Sequence, residues 1–392
     1  MRLVMTTRRF WPCVGGAEIV MANLASYFVE AGHDVTILTA RLDSGWPTDL
    51  RHRGVQVKRL PHPRTRGWGT IRYLRALDKW IYHHRREFDL VFVSMLKLDA
   101  YAAIRGRERH GLPVVIRAEG AGETGDCRWQ ESARFGQRVR RWTHQANAVI
   151  APSSRIYQEL DDAGYDARRL SQIDNGVAIP LQHDRGLKAE KRRIFAEVHG
   201  VLEVAPDTPF VVYTGRLDRR KGLLDLIRAW QAVIEMWPQA KLWLVGEGND
   251  ADLIWDAIRN LGLVHTVILP GSFDDVGEIL QACDCYVLPS YEEGLSLGLL
   301  EAMAAGVPVI ASDISANRVL IEHGHTGLLT PPQDVDRLAE TLVQALQSRD
   351  RAIEMADEAR RFVQENYSLD RMGQAHLRVF QHCLENPEDG LD

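Results

Sequence analysis

Residues 210–222 read FVVYTGRLDRRKG, in which five apolar, aromatic or β-branched residues lead directly into a turn with two glycines and four basic side chains. An uninterrupted run of this kind is typical of a strand that is buried on both faces of a parallel sheet. Open α/β sheets bind their ligands at the carboxyl ends of the strands, where glycine lets the backbone approach a ligand closely. The stretch therefore indicates an α/β fold with a binding loop after this strand.

The same alternation of apolar runs and helical segments extends in both directions along the chain. Strands are predicted before this stretch over residues 1–6, 34–39, 55–60, 89–94, 113–116 and 148–152, and after it over residues 241–245, 267–269, 285–288 and 307–311. A polar, charged and proline-containing segment, residues 181–209, separates the two sets. Because the βαβ pattern stops and then restarts, the sequence predicts two doubly wound, Rossmann-like domains in tandem that face an interdomain cleft.

The length of 392 residues fits this division, since two domains of such a size can each bury a core. We predict the first domain over residues 1–183 and the second over residues 184–366. A final helix is predicted over about 367–385. The cleft between the domains is the expected ligand site.

The net charge of −5 conceals an uneven distribution. Residues 1–200 contain 33 lysines and arginines against 22 acidic residues, whereas residues 201–392 contain 15 against 31. A basic half joined to an acidic half indicates separate binding tasks for the two domains. With 45% hydrophobic and 26% charged residues, the composition excludes a disordered or fibrous chain.

Neither the cysteines nor the hydropathy pattern is typical of a secreted or membrane-spanning protein. The five cysteines are too scattered for a disulfide framework, and the pair Cys283 and Cys285 lacks the spacing of a zinc knuckle. The N-terminus has no signal-peptide core, and no window of 18 residues is continuously apolar. We therefore expect reduced thiols in a cytoplasmic protein that can contact a membrane only from its surface.

Two basic residues after the strand at 210–214 are candidates for anion binding. Arg216 presents a planar fork of donors and Lys221 a compact positive charge, and they are five residues apart. Together they suit a diphosphate, because Gly215 and Gly222 let the backbone come close to the ligand. A solvated basic turn without a ligand is the alternative interpretation.

A second candidate segment is residues 292–301, EEGLSLGLLE, which leads into an apolar helix. A carboxylate such as Glu301 within an apolar helix is costly to bury unless it has partners. Glu293 and Glu301 are eight residues apart with two glycines between them, so they would frame a helix N-terminus whose N–H groups can bind an anion or a sugar. The alternative is one helix-capping acid and one exposed acid.

Nine short segments, distributed over nearly the whole chain, form an ordered set. They are GGAE at 15–18, NGV at 175–177, GRLDRRKG at 215–222, GEG at 246–248, PGSFDD at 270–275, CDCYVLPS at 283–290, an E-x(7)-E element from Glu293 to Glu301, EAMAAGVPVIAS at 301–312 and GHTGLLTPP at 324–332. In their order and separations these segments resemble the retaining glycosyltransferases of family four, which have the GT-B fold. Each segment alone is weak evidence, whereas the ordered set is specific.

The resemblance implies transfer of a sugar from a nucleotide sugar to a hydroxyl of a glycan, lipid-linked or small-molecule acceptor, with retention of the anomeric configuration and no cofactor. The first domain would bind the acceptor and the second the donor, and the final helix would cross back to the first domain. The two domains would then close about hinges near residues 181–186 and near Tyr367. Arg216 and Lys221 would hold the donor diphosphate, while Glu293 would contact the sugar hydroxyls. Donor binding would also involve Gly16, Gly215, Glu301 through the ribose hydroxyls, and the backbone N–H groups of Leu295 and Ser296.

Asp334 and Asp336 form a D-x-D pair of the kind that holds a metal in transferases of another fold. They follow two prolines and open a helical pattern, which favours a helix N-cap and a first-turn acid. Since Arg216 and Lys221 are available for the diphosphate, we predict that no metal is needed.

The chain departs from the family pattern after the strand at 113–116. Many members have a histidine there, whereas this chain reads RAEGAGETGD over residues 117–126, with Glu119 about where the histidine would be. Glu119 could contact the donor sugar or the acceptor, or it could only cap the loop. A sugar-nucleotide epimerase on the same fold, against which the E-x(7)-E element argues, and a non-enzymatic protein that binds an anionic ligand are the alternative functions.

Basic and aromatic residues are concentrated in two stretches of the first domain, residues 61–86 and 128–142. The first has seven cations and one acid, with apolar residues at helical spacing and two tryptophans, namely Ile71, Leu74, Leu77, Ile81, Trp68 and Trp80. The second contains Arg134, Arg138, Arg140 and Arg141 with Trp129, Phe135 and Trp142. Such helices favour contact with anionic lipid or a lipid-linked acceptor at the inner face of a membrane, and ordinary solvated helices are the alternative. No motif indicates nucleic-acid binding.

Overall fold

The computed structural model describes residues 1–13, 15–63, 68–181, 185–198 and 200–386. It divides the chain into two compact units, of which the first comprises residues 1–175 together with the chain from Leu369, and the second residues 176–368. The sequence puts the first boundary eight residues later, at 183/184. Residues 182–184, at the centre of the predicted hinge, lie outside the described residues.

The first unit is built on a mostly parallel sheet. Its described strands are β1 (Arg2–Thr6), β2 (Asp34–Arg41), β3 (Asp49–His52), β4 (Val55–Pro61), β5 (Leu90–Ser94), β6 (Val114–Arg117), β7 (Ala148–Ala151) and β8 (Leu170–Gln172). Its described helices are α1 (Gly16–Glu30), α2 (Trp68–His84), α3 (Leu98–His110), α4 (Asp126–Ser132), α5 (Gly136–Thr143) and α6 (Ser154–Asp162). The strand order is β3-β4-β2-β1-β5-β6-β7-β8, and only β3 is antiparallel to its neighbour among these strands.

The central strands of this sheet are apolar on both faces. Every residue of β5, β6 and β7 is buried, which explains why continuous apolar runs predict them. From β1 the chain adds strands first on one side and then, starting with β5, on the other. The carboxyl ends of β1 and β5 therefore form the topological switch point of the first unit.

The C-terminal helix, Leu369–Glu385, packs in the first unit against α1. The Tyr27 hydroxyl donates to the Asp370 carboxylate at 2.9 Å, and a side chain at Gly373 would overlap the Tyr27 ring. Phe380 is fully buried, with its ring centroid 5.6 Å from that of Phe28. The return of this helix to the first unit, as the resemblance implies, is confirmed.

The second unit contains a parallel sheet with helices on both faces. Its described strands are β9 (Phe210–Thr214), β10 (Lys241–Val245), β11 (Val267–Ile268), β12 (Cys285–Leu288), β13 (Val309–Ser312) and β14 (Leu328–Thr330). Its described helices are α7 (Lys188–Val198), α8 (Leu223–Met236), α9 (Ala251–Asn260), α10 (Gly277–Ala282), α11 (Leu297–Ala304), α12 (Ser315–Arg318), α13 (Val335–Gln347) and α14 (Arg349–Asn366). The strand order is β11-β10-β9-β12-β13-β14, and all strand pairs are parallel in the described chain.

Helix α7 corrects the interpretation of residues 181–209 as a separator. The helix belongs to the second unit, and its Arg192 is 1% exposed. The Arg192 guanidinium pairs with Asp284 at 2.8 Å and donates to the Ala282 carbonyl oxygen at 3.0 Å. A segment that is polar in sequence is therefore anchored to the core through one buried arginine.

The apolar spacing in residues 61–86 is only partly the core face of α2. Leu77 and Ile81 are buried as core residues, whereas Ile71 and Trp68 are 43% and 69% exposed. Arg64 and Arg66 of the basic stretch lie outside the described residues. The exposed face of α2 therefore mixes apolar and basic side chains.

All five cysteines are free thiols. Among the described residues, no helix combines the length and the apolar character needed to cross a membrane.

Candidate active site

The strand order of the second sheet indicates one edge of that unit as the binding site. From β9 the chain adds β10 and β11 on one side, and it then continues with β12 on the other side. The crevice of such a sheet opens at the carboxyl ends of these two neighbouring strands, after Thr214 and Leu288. Arg216 and Lys221 follow the first strand and Glu293 follows the second, so the fold brings both predicted segments to the same edge.

The loop after β9 holds Arg216 exposed at this edge. Gly215 has a φ of +149°, which L side chains rarely adopt, and a Cβ atom on it would lie 2.7 Å from the Tyr213 hydroxyl oxygen. That hydroxyl donates to the Arg216 carbonyl oxygen at 2.9 Å and so fixes the loop backbone. Among the described residues, the Arg216 guanidinium has no hydrogen-bond or ion-pair partner. Its donors are available to an anion.

The two arginines between Arg216 and Lys221 are paired locally. Asp218 accepts from the Arg220 backbone N–H at 3.0 Å, and its carboxylate also pairs with the Arg220 guanidinium at 2.9 Å. These hydrogen bonds lower the pKa of Asp218 to about 2, so that the carboxylate stays ionised. Arg219 forms an ion pair with the carboxylate of residue 250 at 3.2 Å. Arg219 and Arg220 therefore fit the alternative interpretation, in which basic residues of the turn bind no ligand.

Lys221 and Glu293 form an ion pair at the centre of the edge. The Lys221 Nζ atom lies 2.6 Å from Glu293 Oε1, and the Ser290 hydroxyl donates to the same oxygen at 2.7 Å. Only 8% of the Glu293 side chain is exposed, against 24% of the Lys221 side chain. Gly222 has a φ of +66°, and a Cβ atom on it would overlap the Pro289 carbonyl oxygen. The two loops are therefore joined by charge and by backbone packing.

Helix α11 begins at the same edge. The side-chain oxygen of its N-cap, Ser296, accepts from the Leu299 backbone N–H at 3.3 Å. Gly298, in the first turn, approaches Thr214 and Tyr286 so closely that a Cβ atom would lie 2.6 Å from either hydroxyl oxygen. The helix thus starts beside the ends of β9 and β12, and its first-turn N–H groups give this edge a partial positive charge.

Both carboxylates of the E-x(7)-E element lie near the end of β12. Burial raises the pKa of Tyr286, and the negative charges of Glu293 and Glu301 raise it further. Glu301 is half-buried in α11, one turn beyond the N-cap. Leu295, between the two acids in sequence, is half-buried against the core of the second unit. The second unit thus brings together most of the predicted site residues.

Gly16 and Glu119 lie in the first unit. Gly16 is the exposed first residue of α1. Glu119 follows β6, where its carboxylate accepts from the Arg117 guanidinium and its backbone N–H donates to the Asp126 carboxylate at 2.9 Å. Burial raises the pKa of Glu119, and the charge of Arg117 opposes that rise. Glu119 is therefore held by two partners at the carboxyl edge of the first sheet.

Two families match the chain, one in each unit. Residues 14–179 match the family described as Glycosyltransferase Family 4, and residues 195–362 match the family described as Glycosyl transferases group 1. Glycogen synthase from Mycobacterium tuberculosis is 30% identical over 407 aligned residues, which cover 97% of this chain and 94% of that protein. The chain belongs to the group 1 glycosyltransferases. The family predicted from the motif order is confirmed.

Solved structures share the fold of this glycosyltransferase. Sucrose-phosphate synthase from Thermosynechococcus elongatus superposes with a TM-score of 0.79 at 22% identity, over 98% of this chain and 99% of that one. HepE from Anabaena, solved in complex with UDP-glucose, superposes with a TM-score of 0.76 at 20% identity, over 97% of this chain and 99% of that one. The predicted GT-B fold is confirmed, and the group 1 family favours a glycosyltransferase over the epimerase and non-enzymatic alternatives.

The D-x-D pair of this glycosyltransferase has a structural role. Asp334 is the N-cap of α13 and accepts from the Arg337 backbone N–H at 3.0 Å, and Asp336 lies in the first turn. Within the described ranges, no group of three or more His, Cys, Asp or Glu side chains is arranged to hold a metal ion. The interpretation of Asp334 as a helix cap is confirmed.

Sequence reasoning does not identify Ser290, Tyr286, Arg117 or Asp126 as parts of these two edges. Arg117 and Ser290 do carry a signal, since Arg117 directly continues a buried apolar strand and Ser290 is the second residue after one. Such a residue lies at the carboxyl end of a parallel sheet and needs a partner there. Tyr286 gives no signal, because a tyrosine within a buried strand has the pattern of a core residue.

Proposed function

We propose that this glycosyltransferase moves a hexosyl group from a nucleoside-diphosphate sugar to an acceptor hydroxyl, with retention of the anomeric configuration and without a metal ion. The observation that carries the proposal is the convergence of Arg216, Lys221 and Glu293 at the carboxyl ends of β9 and β12. This edge combines two cations, a carboxylate and a helix N-terminus. Cations and free N–H groups suit the diphosphate of a donor, and a carboxylate suits its sugar hydroxyls.

Charge development during the reaction gives the two cations their role. When the bond between the anomeric carbon and the diphosphate breaks, the bonding electrons leave with the diphosphate. Arg216 and Lys221 stabilise that developing negative charge and so lower the barrier. The acceptor oxygen forms the new bond to the anomeric carbon, and its proton passes to an oxygen of the departing diphosphate. The proposal therefore assigns no protein side chain as the base.

The remaining residues of the edge complete the proposed donor site. Glu293 accepts hydrogen bonds from the sugar hydroxyls once Lys221 has turned to the diphosphate, and Glu301 accepts from the ribose hydroxyls. Backbone N–H groups and small residues supply the other proposed donor contacts, at Leu295, Ser296, Gly215 and, in the first unit, Gly16.

Two of the relatives support the substrate classes. HepE is solved with UDP-glucose, which favours a nucleotide sugar as the donor of this chain. The relative from M. tuberculosis is a glycogen synthase, which favours a glycan acceptor, and a lipid-linked acceptor fits the surface described below. We propose no cofactor besides the donor.

Thermal unfolding with a panel of donors tests the donor site. UDP-glucose, GDP-mannose and ADP-glucose are added separately in excess EDTA, and a ligand at about 100 times its Kd adds roughly 2.7 kcal/mol of stability. We expect one donor to raise the Tm of the wild type, and the rise to be lost in Arg216→Ala. It should persist in the matched control Arg219→Ala, whose charge is already paired with Asp250. No rise with any donor, or equal rises in both variants, would contradict the assignment.

Retention and metal independence are read from the reaction itself. With an α-linked donor, we expect proton NMR of the product to give an α linkage. The rate should be the same in excess EDTA as in added Mg²⁺. A β-linked product, or a strict requirement for Mg²⁺ or Mn²⁺, would overturn that part of the proposal.

We also propose that the first unit contacts an anionic membrane, at its cytoplasmic face, through one side of α2. We call this side the basic stripe, and it consists of the exposed residues Trp68, Ile71, Arg72, Arg75, Lys79, Tyr82 and His83. They recur every three or four positions and include no acid. Apolar and aromatic side chains interleaved with cations on one helix face are what an interfacial helix requires.

A second basic and aromatic surface supports the same contact. Phe135, which precedes α5, is 55% exposed, and the Arg134 guanidinium lies 5.5 Å from its ring centroid. Arg138 and Arg141 are also exposed, and α3 packs against both α2 and α5. Trp68 and Phe135 are both at the N-terminal ends of helices, hence near the carboxyl edge of the first sheet. A lipid-linked acceptor would meet the enzyme at that edge.

Vesicle co-sedimentation tests the membrane proposal. Vesicles of phosphatidylcholine with phosphatidylglycerol should bind the wild type at low salt, and pure phosphatidylcholine vesicles should bind it weakly. The double variant Trp68→Ala, Ile71→Ala should lose binding. Trp255→Ala, which removes a tryptophan that is 41% exposed in α9 of the acidic half, should keep it. Binding that is equal for both variants, or that ignores vesicle charge, would end the idea.

A further inference from the structure

One arginine in the interior of the first unit has an unusual set of partners. Arg117, the last residue of β6, is fully buried, although arginine is seldom buried without paired charges. Its two terminal nitrogens donate to different acceptors, the carboxylate of Glu119 and the side-chain oxygen of Asn175. Among the described residues its Nε atom has no partner. The guanidinium thus links two chain segments, the one that contains Glu119 and the one that contains Asn175.

These segments meet where the chain passes between the two units. Asn175 is the last residue of the first unit before the chain enters the second unit. The chain returns to the first unit at Leu369, which is the first residue of the C-terminal helix. His376 of that helix is also fully buried. Burial lowers the pKa of His376 to about 3, and the charge of Arg117 contributes to the decrease. Arg117 therefore contacts the outgoing chain at Asn175 and lies near the C-terminal helix at His376.

The third neighbour, Glu119, is positioned on both its backbone and its side chain. Its backbone N–H and that of Leu96 donate to the same Asp126 oxygen, at 2.9 and 2.8 Å. Its carboxylate is 13% exposed and pairs with Arg117. Leu96 lies in the loop after β5 and Glu119 in the loop after β6. Because both loops donate to Asp126, the position of Glu119 is fixed with respect to β5 as well as β6.

The charged groups around Glu119 come from several elements. Burial raises its pKa, Arg117 from β6 lowers it, and Asp126 from α4 and Glu18 from α1 raise it. Lys97 lies behind Asp126, with its Nζ atom 3.3 Å from Oδ1 of that residue. Arg117 is therefore the cation that most directly keeps the Glu119 carboxylate ionised.

We propose that Arg117 is a positioning residue, which holds the ionised Glu119 carboxylate at the carboxyl edge of the first sheet to accept a hydrogen bond from a substrate hydroxyl. The hydroxyl belongs to the donor sugar or to the acceptor, so the inference rests on the proposed transferase function. Arginine is required because its fork reaches Glu119 and Asn175 at the same time. A lysine keeps the charge as a point and cannot serve both with fixed geometry.

The test compares Arg117→Met, Arg117→Lys, Glu119→Gln and the double variant Arg117→Met, Glu119→Gln. We expect Arg117→Met and Glu119→Gln each to lower kcat/KM about 10- to 100-fold, which corresponds to losing a hydrogen bond to a charged group. The double variant should be no slower than the slower single variant, because both changes disable the same carboxylate. Independent, multiplicative losses would overturn the proposal.

A pH profile separates positioning from a merely structural role. Glu119 acts as an ionised acceptor, so activity falls as the pH drops through its pKa. Removing the Arg117 charge leaves burial unopposed and should move this acidic limb at least one pH unit upward in Arg117→Met. Arg117→Lys should restore the limb to its wild-type position, and the double variant should lack it. An unmoved limb in Arg117→Met would contradict the proposal.

Two further measurements identify the hydroxyl and separate this inference from the proposed function. If KM and kcat/KM change for the acceptor and stay the same for the donor, the hydroxyl belongs to the acceptor. If they change for the donor and stay the same for the acceptor, the hydroxyl belongs to the donor. The Tm rise given by UDP, GDP or ADP should be the same in all variants, because Arg216 and Lys221 lie in the second unit. No rise in the wild type would count against the donor site, not against Arg117. Should Arg117→Met fail to fold, Arg117→Lys and Asn175→Ala, each expected to lower kcat/KM, keep the proposal falsifiable.

Discussion

Replacing Glu293 by glutamine is expected to change donor binding and sugar transfer in opposite directions. Lys221 Nζ lies 2.6 Å from Glu293 Oε1, so a diphosphate has to compete with Glu293 for this ammonium group. Glutamine has nearly the same shape as glutamate and keeps a carbonyl oxygen that can accept from the Ser290 hydroxyl. The substitution therefore removes the charge of the competing group and little else.

The exposure of the pair sets the size of the binding effect. An exposed ion pair contributes about 0.2–1 kcal/mol. The upper end applies here, because 8% of the Glu293 side chain and 24% of the Lys221 side chain are exposed. About 1 kcal/mol corresponds to roughly a fivefold change in an equilibrium constant. We expect Glu293→Gln to bind the nucleoside diphosphate about fivefold more tightly than the wild type.

Sugar transfer should become slower in the same variant. A neutral amide is a weaker acceptor than a carboxylate, and hydrogen bonds to charged groups contribute about 1.5–3 kcal/mol. The loss in kcat/KM should therefore be roughly 10- to 100-fold. Isothermal titration with the nucleoside diphosphate selected by the donor panel measures the first effect. Release of that diphosphate from the sugar donor measures the second.

The neighbouring carboxylate provides the control for this experiment. Glu292 is exposed, and the carboxylate that pairs with Lys221 is that of Glu293. Glu292→Gln should change the affinity by less than about twofold, because exposed charges are largely screened. Unchanged or weaker binding of the diphosphate to Glu293→Gln would show that Glu293 does not compete for Lys221, and a wild-type rate of transfer in that variant would show that its carboxylate does not bind the sugar.

Two predictions concern stability. Asp284→Asn leaves the buried Arg192 without its carboxylate and should lower the free energy of unfolding in urea by about 3–5 kcal/mol, whereas Asp256→Asn, at an exposed pair, should change it by less than about 0.5 kcal/mol. Burial alone would raise the pKa of Asp284, but Lys188 and Arg192 lower it overall. The stabilisation by Asp284 is therefore fully present above the pKa that this carboxyl has in the unfolded chain, and it is lost as the pH falls through its pKa in the folded protein. His376, whose pKa burial lowers to about 3, should cost the wild type about 2 kcal/mol of stability between pH 7 and pH 5, because the unfolded chain binds the proton there and the folded chain does not. His376→Gln should lack that loss in unfolding experiments at the two pH values, and a wild-type slope in this variant would contradict the assignment.

The strands that could be predicted from the sequence are the buried ones. Runs such as those of β5 and β9 are apolar on both faces because helices cover both faces, so their pattern does not depend on one particular partner. The strands β3, β8 and β14 are absent from the prediction. They are edge strands of three or four residues, and most of their side chains are exposed or half-buried. An edge strand is defined by its neighbour rather than by its own composition.

The missing parts of the site depend on partners far away in the sequence. The order of the motifs indicates that Arg216, Lys221 and Glu293 act together, but not that Glu293 neutralises Lys221, which is 72 residues earlier. Arginine is usually exposed, so no local pattern predicts the complete burial of Arg117, which requires Asn175, 58 residues later. The same holds for α7, whose Arg192 partner is 92 residues away.

In the proposed mechanism, Arg216 stabilises the diphosphate as it leaves a sugar donor. The most direct test is the rate at which wild type, Arg216→Ala and Arg219→Ala release nucleoside diphosphate from the selected donor in excess EDTA. This mechanism predicts turnover about 10²- to 10³-fold below wild type for Arg216→Ala, by analogy with loss of one oxyanion donor, and turnover near wild type for Arg219→Ala. Turnover of Arg216→Ala within tenfold of wild type, or loss of wild-type activity in EDTA, would contradict it.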